Sequence, residues 1–151
     1  MQTTTETTIE REIAIAAKPE TVWQFLVDPE KATRWMGLSA LVDARPGGEY
    51  RVEVCPGETA GGEFLVVDPP HRLVWTWGWD EESTSDVQVG STRIEVELVA
   101  ERDGTLLRFT HSGLPTADAV KSHTHGWEHY LERLTVAARG GDPGPDPWAE
   151  R

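Results

Sequence analysis

Two of the five histidines fall where side-chain alternation turns them inward. His111 shares a strand face with Leu107 and Phe109, and His123 lies one helical turn before Trp127. An imidazole in an apolar interior has its pKa drawn down by desolvation unless a carboxylate offsets it. Such a group can move a proton or anchor the polar end of a ligand. It can equally be a structural hydrogen-bonding group, for His111 toward the Ser112-Gly113 turn. Asp80 and Tyr130 are the candidates for a second polar group beside these rings.

Tryptophan is the other unusual resource, with 7 Trp against 3 Phe and 2 Tyr. Trp75, Trp77 and Trp79 alternate, so one strand would carry all three on one face. Three exposed indoles in a row would make an adhesive patch, so they are expected inward. There they either pack the core or line an apolar pocket, with Trp79 nearest the pocket mouth. Each indole N–H also wants an acceptor.

Other chemistry finds less support. His125 and His129 are four apart on a helix, the spacing of zinc-binding helices, but the segment HGWEH lacks a Glu directly after the first His. That face lies opposite Trp127 and is expected toward solvent, so no metal site is assigned. The lone Cys55 has no base near it in sequence and cannot form an intramolecular disulfide. Gly47-Gly48 and Gly61-Gly62 suit hairpin turns rather than a phosphate loop, so no nucleotide or other cofactor is expected.

The elements that must position these residues follow from periodicity. Ile9–Ile15 alternates as a strand. Lys18-Pro19-Glu20 opens a helix that Asp28-Pro29 stops, and a second short helical turn runs to Trp35. Strands are then expected over 39–45, 49–55, 63–68, 72–80, 91–101 and 105–112, with turns at Pro46-Gly47-Gly48, 56–62, Pro69-Pro70 and Asp103-Gly104. Residues 116–139 form a long helix with Thr116 as its N-cap and a stripe through Val120, Thr124, Trp127, Leu131 and Leu134. This is an α+β arrangement. A curved antiparallel sheet wraps one long C-terminal helix, two short helices lie near the N-terminus, and a gap is left between sheet and long helix. One domain is expected over residues 9–140, with a flexible N-terminus (1–8) and a Pro-rich, loosely held tail (141–151).

Several segments, in this order and spacing, resemble a known family. They are Pro19 with Val22-Trp23, Asp28-Pro29, Arg34-Trp35, Gly61-Gly62-Glu63-Phe64, Asp68-Pro69-Pro70, Leu73-Val74-Trp75-Thr76-Trp77, His111-Ser112-Gly113-Leu114, Gly126-Trp127 and Tyr130-Leu131 with Leu134. The pattern is similar to the family related to the activator of Hsp90 ATPase, within the START/Bet v 1-like (SRPBCC) superfamily of helix-grip folds. The resemblance implies that fold, with hydrophobic small molecules or lipids held between sheet and helix. Some superfamily members are polyketide cyclases or dehydratases, and the eukaryotic namesake is a co-chaperone of Hsp90.

Composition narrows the partners. The net charge of −12 (14 Lys and Arg against 26 Asp and Glu) opposes binding to nucleic acid or to anionic lipid. The first twelve residues lack the basic start and apolar run of a signal peptide, and no apolar stretch approaches the ~20 residues of a membrane span. A cytoplasmic setting is therefore expected. Three functions stay open: a binding module for a hydrophobic small molecule, an enzyme using His111 or His123 for proton transfer, and a chaperone-interacting protein. The binding module would use Trp75, Trp77, Trp79, Trp127 and Tyr130 for contact area and His111 and His123 as polar anchors. A homodimer through an edge strand or the Trp148 tail is a further option, and the acidic loop 80–86 could serve as an entrance lid.

Overall fold

The structure is a computed structural model that describes residues 7–80 and 85–149. Seven strands form one antiparallel sheet in the order β1-β7-β6-β5-β4-β3-β2. They are β1 (Ile9–Ile15), β2 (Ser39–Val42), β3 (Glu49–Cys55), β4 (Glu58–Asp68), β5 (Arg72–Trp77), β6 (Thr92–Glu101) and β7 (Gly104–Ser112). From β2 to β7 each strand pairs with its predecessor, which needs only hairpin connections. The first strand instead lies at the opposite edge, on β7. The helices α1 (Pro19–Val27) and α2 (Pro29–Ala32) carry the chain between the two edges.

Local chemistry explains these boundaries. Pro19 fits the first position of α1, where its missing N–H costs nothing. Val22, Trp23, Phe25 and Leu26 give the helix its buried face. Asp28 ends α1 and caps α2, its carboxylate accepting from the Glu30 N–H at 3.0 Å. The Trp35 indole N–H donates to the Phe25 carbonyl at 2.8 Å, which fastens the chain after α2 back onto α1. Register shifts at Glu53/Cys55 and Phe64/Val66 bend β3 and β4, giving the sheet its curvature.

The long helix α3 (Ala117–Ala138) begins at Thr116, whose hydroxyl accepts from the Ala119 N–H at 3.0 Å. Its buried residues include His123, Trp127, Tyr130, Leu131 and Leu134, and they face the concave side of the sheet. The helix packs against β1 and α1, and Arg11 of β1 pairs with Glu128 at 2.8 Å across that contact. This is the helix-grip arrangement expected from the sequence.

The turn expected over 56–62 closes to Pro56-Gly57, so Gly61 and Gly62 lie inside β4, opposite Arg51 and Tyr50. The strand expected over 72–80 ends at Trp77, because Gly78 sits where residues 87–88 cross over it. A Cβ at Gly78 would overlap the Gln88 carbonyl. The chain then continues through single bridges, with the Trp79 N–H donating to Val87 O at 2.7 Å. The tail after Gly140 makes specific contacts with α3. Arg133 of α3 donates to the carbonyls of Pro143 and Gly144 at 3.2 and 2.9 Å. Asp146 accepts from the Tyr130 hydroxyl, the His129 ring and the Trp148 N–H. Of the N-terminal segment and the 80–86 loop, residues 1–6 and 81–84 lie outside the described residues.

Candidate functional site: a cavity under the first half of the long helix

A cavity of about 700 Å³ opens between the N-terminal half of α3 and the strand ends of β3, β4 and β5. Its apolar and aromatic wall includes Met36, Val54, Trp77, Trp79, Trp127 and Tyr130. Ser85, Thr116 and Ser122, the acids Glu58, Asp86 and Asp118, and Ala119, His123 and Gly126 complete the described lining. Gly126 occupies a mid-helix position where a Cβ would meet open space. A mid-helix glycine costs about 1 kcal/mol relative to Ala, so here helix stability is given up and cavity volume kept.

The aromatic wall is rigidly interlocked. The Trp77 ring centroid lies 5.5 Å from Trp79 and 5.1 Å from Trp127, and Trp127 lies 4.7 Å from Phe109. Polar atoms within this cluster form two short chains. In one, the Trp127 indole N–H donates to His111 Nδ1 at 3.0 Å. The ring's proton is therefore on Nε2, which lies 2.8 Å from the Thr92 hydroxyl oxygen and donates to it. That hydroxyl donates in turn to the Trp77 carbonyl at 2.7 Å. In the other, the Trp79 indole N–H donates to His123 Nε2 at 3.1 Å. The His123 proton is then on Nδ1, 2.8 Å from the Ala119 carbonyl.

Both imidazoles are thus held neutral with both nitrogens engaged. Burial brings the His111 pKa down to about 3, with the nearby His123 adding to the effect. Burial also lowers His123, opposed by its hydrogen bond to the Ala119 carbonyl and by the Asp86 charge. The two ring centroids are 5.4 Å apart.

The structure separates the sequence candidates into two groups. Trp77, Trp79, His123, Trp127 and Tyr130 line the cavity. Trp75 does not: it packs with Tyr50 and Phe64, at centroid distances of 5.4 and 6.2 Å, deeper along the sheet. His111 does not either, because it is fully buried beside Trp77 and Trp127. Strand alternation selects a face but not the position along it at which the helix lifts away. Asp80 is not among the lining residues, and the Tyr130 hydroxyl is turned to Asp146 at 2.9 Å.

On the His125–His129 face, His125 is exposed as expected, while the tail partly covers His129. Trp148 of the tail stacks on His129 at 3.7 Å and lies 5.1 Å from His125, while His129 Nε2 bonds to Asp146 at 2.9 Å. Among the described residues no group of three or more His, Cys, Asp or Glu is arranged to hold a metal ion. Sequence reasoning missed Glu58, Asp118 and Gly126 as wall residues, and held Asp86 only within a loop at the entrance. The glycine carried a usable signal, since it interrupts a long helix without capping it. The acids carried none, since they meet only through the tertiary fold.

A family model described as "Activator of Hsp90 ATPase homolog 1-like protein" matches residues 16–139. The chain belongs to that family. Its fold, the SRPBCC fold, is one whose families commonly bind hydrophobic ligands. An AHSA1-like protein from Rhizobium etli, solved by NMR, is 48% identical, with 95% of this chain and 89% of that one covered at a TM-score of 0.75. An Hsp90 activator from Plasmodium falciparum is 23% identical, with 87% and 95% covered at a TM-score of 0.72. A putative protein of the dynemicin biosynthetic locus is 22% identical, with 94% of this chain and 51% of that one covered at a TM-score of 0.78. The last two likenesses are of fold. A search of the curated proteins gives no match. Among the described residues, no helix is long and apolar enough to cross a membrane.

Proposed function

We propose that this protein binds a hydrophobic small molecule in the cavity between its sheet and α3. The observation that carries this is the cavity itself: about 700 Å³, walled by Trp77, Trp79, Trp127 and Tyr130. That volume lies within the range of small-molecule sites, roughly 300–1,000 Å³. Close packing is the rule in protein interiors, and a helix glycine facing a void is at odds with a domain selected for stability alone. Trp79, Trp127 and Tyr130 already have their polar atoms paired within the protein, so their rings can meet an apolar ligand without a desolvation penalty.

The proton-transfer alternative finds less support in this geometry. His111 is off the cavity wall, and the hydrogen-bond partners of His123 are Trp79, the Ala119 carbonyl and the Ser122 hydroxyl, none of them a titratable group at neutral pH. Chaperone interaction is supported by the family description and by fold likeness, not by a feature of the surface.

Titration with 1-pyrenebutanol tests the proposal, because tryptophan emission overlaps pyrene absorption and reports binding as energy transfer. Saturable transfer is expected in the native protein. It should be lost in Gly126→Leu, whose side chain would enter the cavity. No saturable transfer, or identical transfer in Gly126→Leu, would refute the assignment.

A further inference from the structure

The charged groups on the wall are all of one sign. Glu58 at the start of β4, Asp86 beside the loop after Trp79, and Asp118 in the first turn of α3 reach the cavity from three separate segments, and all three are exposed. No Lys or Arg is among the described lining residues. None of the three carboxylates makes an ion pair within 4.0 Å among the described residues. Directly below them lie aromatic faces, with Trp79 partly exposed. Trp77 is 2% exposed, and its indole N–H, like that of Trp75 off the cavity, has no hydrogen-bond partner among the described residues.

One feature opposes this pattern. The N-terminus of α3 also reaches the cavity, through Thr116 and Ala119. A helix start carries about half a positive charge, while the rim carries three full negative ones. The Thr116 hydroxyl also already occupies the Ala119 N–H. The balance at the mouth is therefore negative. A fatty-acid carboxylate would be repelled there, and a cation would be attracted both by the acids and by the indole faces.

We infer that the cavity takes an aromatic or otherwise apolar molecule bearing a protonated amine. Its apolar body lies against Trp77, Trp79 and Trp127, and its ammonium group lies at Glu58, Asp86 and Asp118. This rests on the cavity being a binding site, and it names the ligand class.

The test uses three probes with one body: 1-pyrenebutylamine, 1-pyrenebutanol and 1-pyrenebutyrate. They are titrated into the native full chain, into Glu58→Gln/Asp86→Asn/Asp118→Asn, and into Glu10→Gln/Glu101→Gln/Glu132→Gln. The last variant changes net charge equally at exposed residues that do not line the cavity. Exposed charge pairs are worth about 0.2–1 kcal/mol each. The amine should therefore bind at least about tenfold more tightly than the carboxylate at low salt, with the alcohol between. The preference should shrink as salt rises. It should nearly vanish in the lining variant and persist in the distal one. Equal binding of all three probes, a preference for the carboxylate, or equal loss of preference in both variants would overturn the amine assignment while leaving the cavity a binding site. Failure of all three probes to bind would overturn both.

Discussion

Acidification should unfold this protein through His111 in a way that can be separated from its many carboxylates. His111 is neutral in the fold, accepting from Trp127 and donating to Thr92, and its pKa falls from 6.5 to about 3. In the unfolded chain the ring titrates near 6.5. Between these values the unfolded state binds the extra proton, so stability is complete above about pH 6.5 and falls as the pH drops toward 3. Each unit is worth about 1.4 kcal/mol. The fall from pH 7.5 to 5.0 crosses roughly 1.5 units below the unfolded value, a loss of about 2 kcal/mol, and the ceiling near pH 3 is about 5 kcal/mol. His123, shifted the same way, adds to this. The measurement is urea unfolding of native protein and His111→Gln across pH 5.0–8.0. The amide can still accept from Trp127 and donate to Thr92. Relief of repulsion among the acidic residues is common to both proteins and cancels in the difference. The native protein should lose about 2 kcal/mol relative to the variant over that range. Parallel curves would show that His111 is not held neutral, and the hydrogen-bond chain described above would be wrong.

Other expectations follow from particular contacts. Gly126→Ala should raise stability by about 0.5–1 kcal/mol in thermal or urea unfolding, since the methyl enters open space and helix propensity improves. Gly78→Ala should destabilise by at least about 2 kcal/mol, because its Cβ has no room against the Gln88 carbonyl; a neutral result would mean the crossing at Trp79 is misplaced. Tyr130→Phe removes the hydroxyl bonded to Asp146 and should cost about 1.5–3 kcal/mol. It should also speed proteolytic cleavage within residues 142–149, and unchanged cleavage would show that this bond does not hold the tail.

Much of the architecture was legible because local signals and tertiary demands agree. Pro19, Asp28-Pro29 and Thr116 each do at a helix boundary what their chemistry favours, and the hairpin order needs no long crossover. The inward face of β7 was equally plain. Whether His111 or His123 meets the void was not, because depth along a face depends on where α3 separates from the sheet. Trp79 seemed to continue the strand of Trp75 and Trp77 because period-two spacing cannot register a backbone crossing at Gly78. The contacts of the tail were illegible for a different reason. Pro and Gly dominate its composition, yet its attachment depends on Asp146 and Trp148 meeting His129 and Tyr130.

Indole N–H resonances offer the most direct test of the central claim, because the protein's 7 tryptophans are distributed on and off the cavity wall. Nitrogen-labelled protein titrated with 1-pyrenebutylamine should show shifts at Trp77, Trp79 and Trp127, with Trp23, Trp35 and Trp75 little changed. Shifts spread evenly over all of them, or confined to tryptophans off the cavity wall, would contradict a ligand seated under α3.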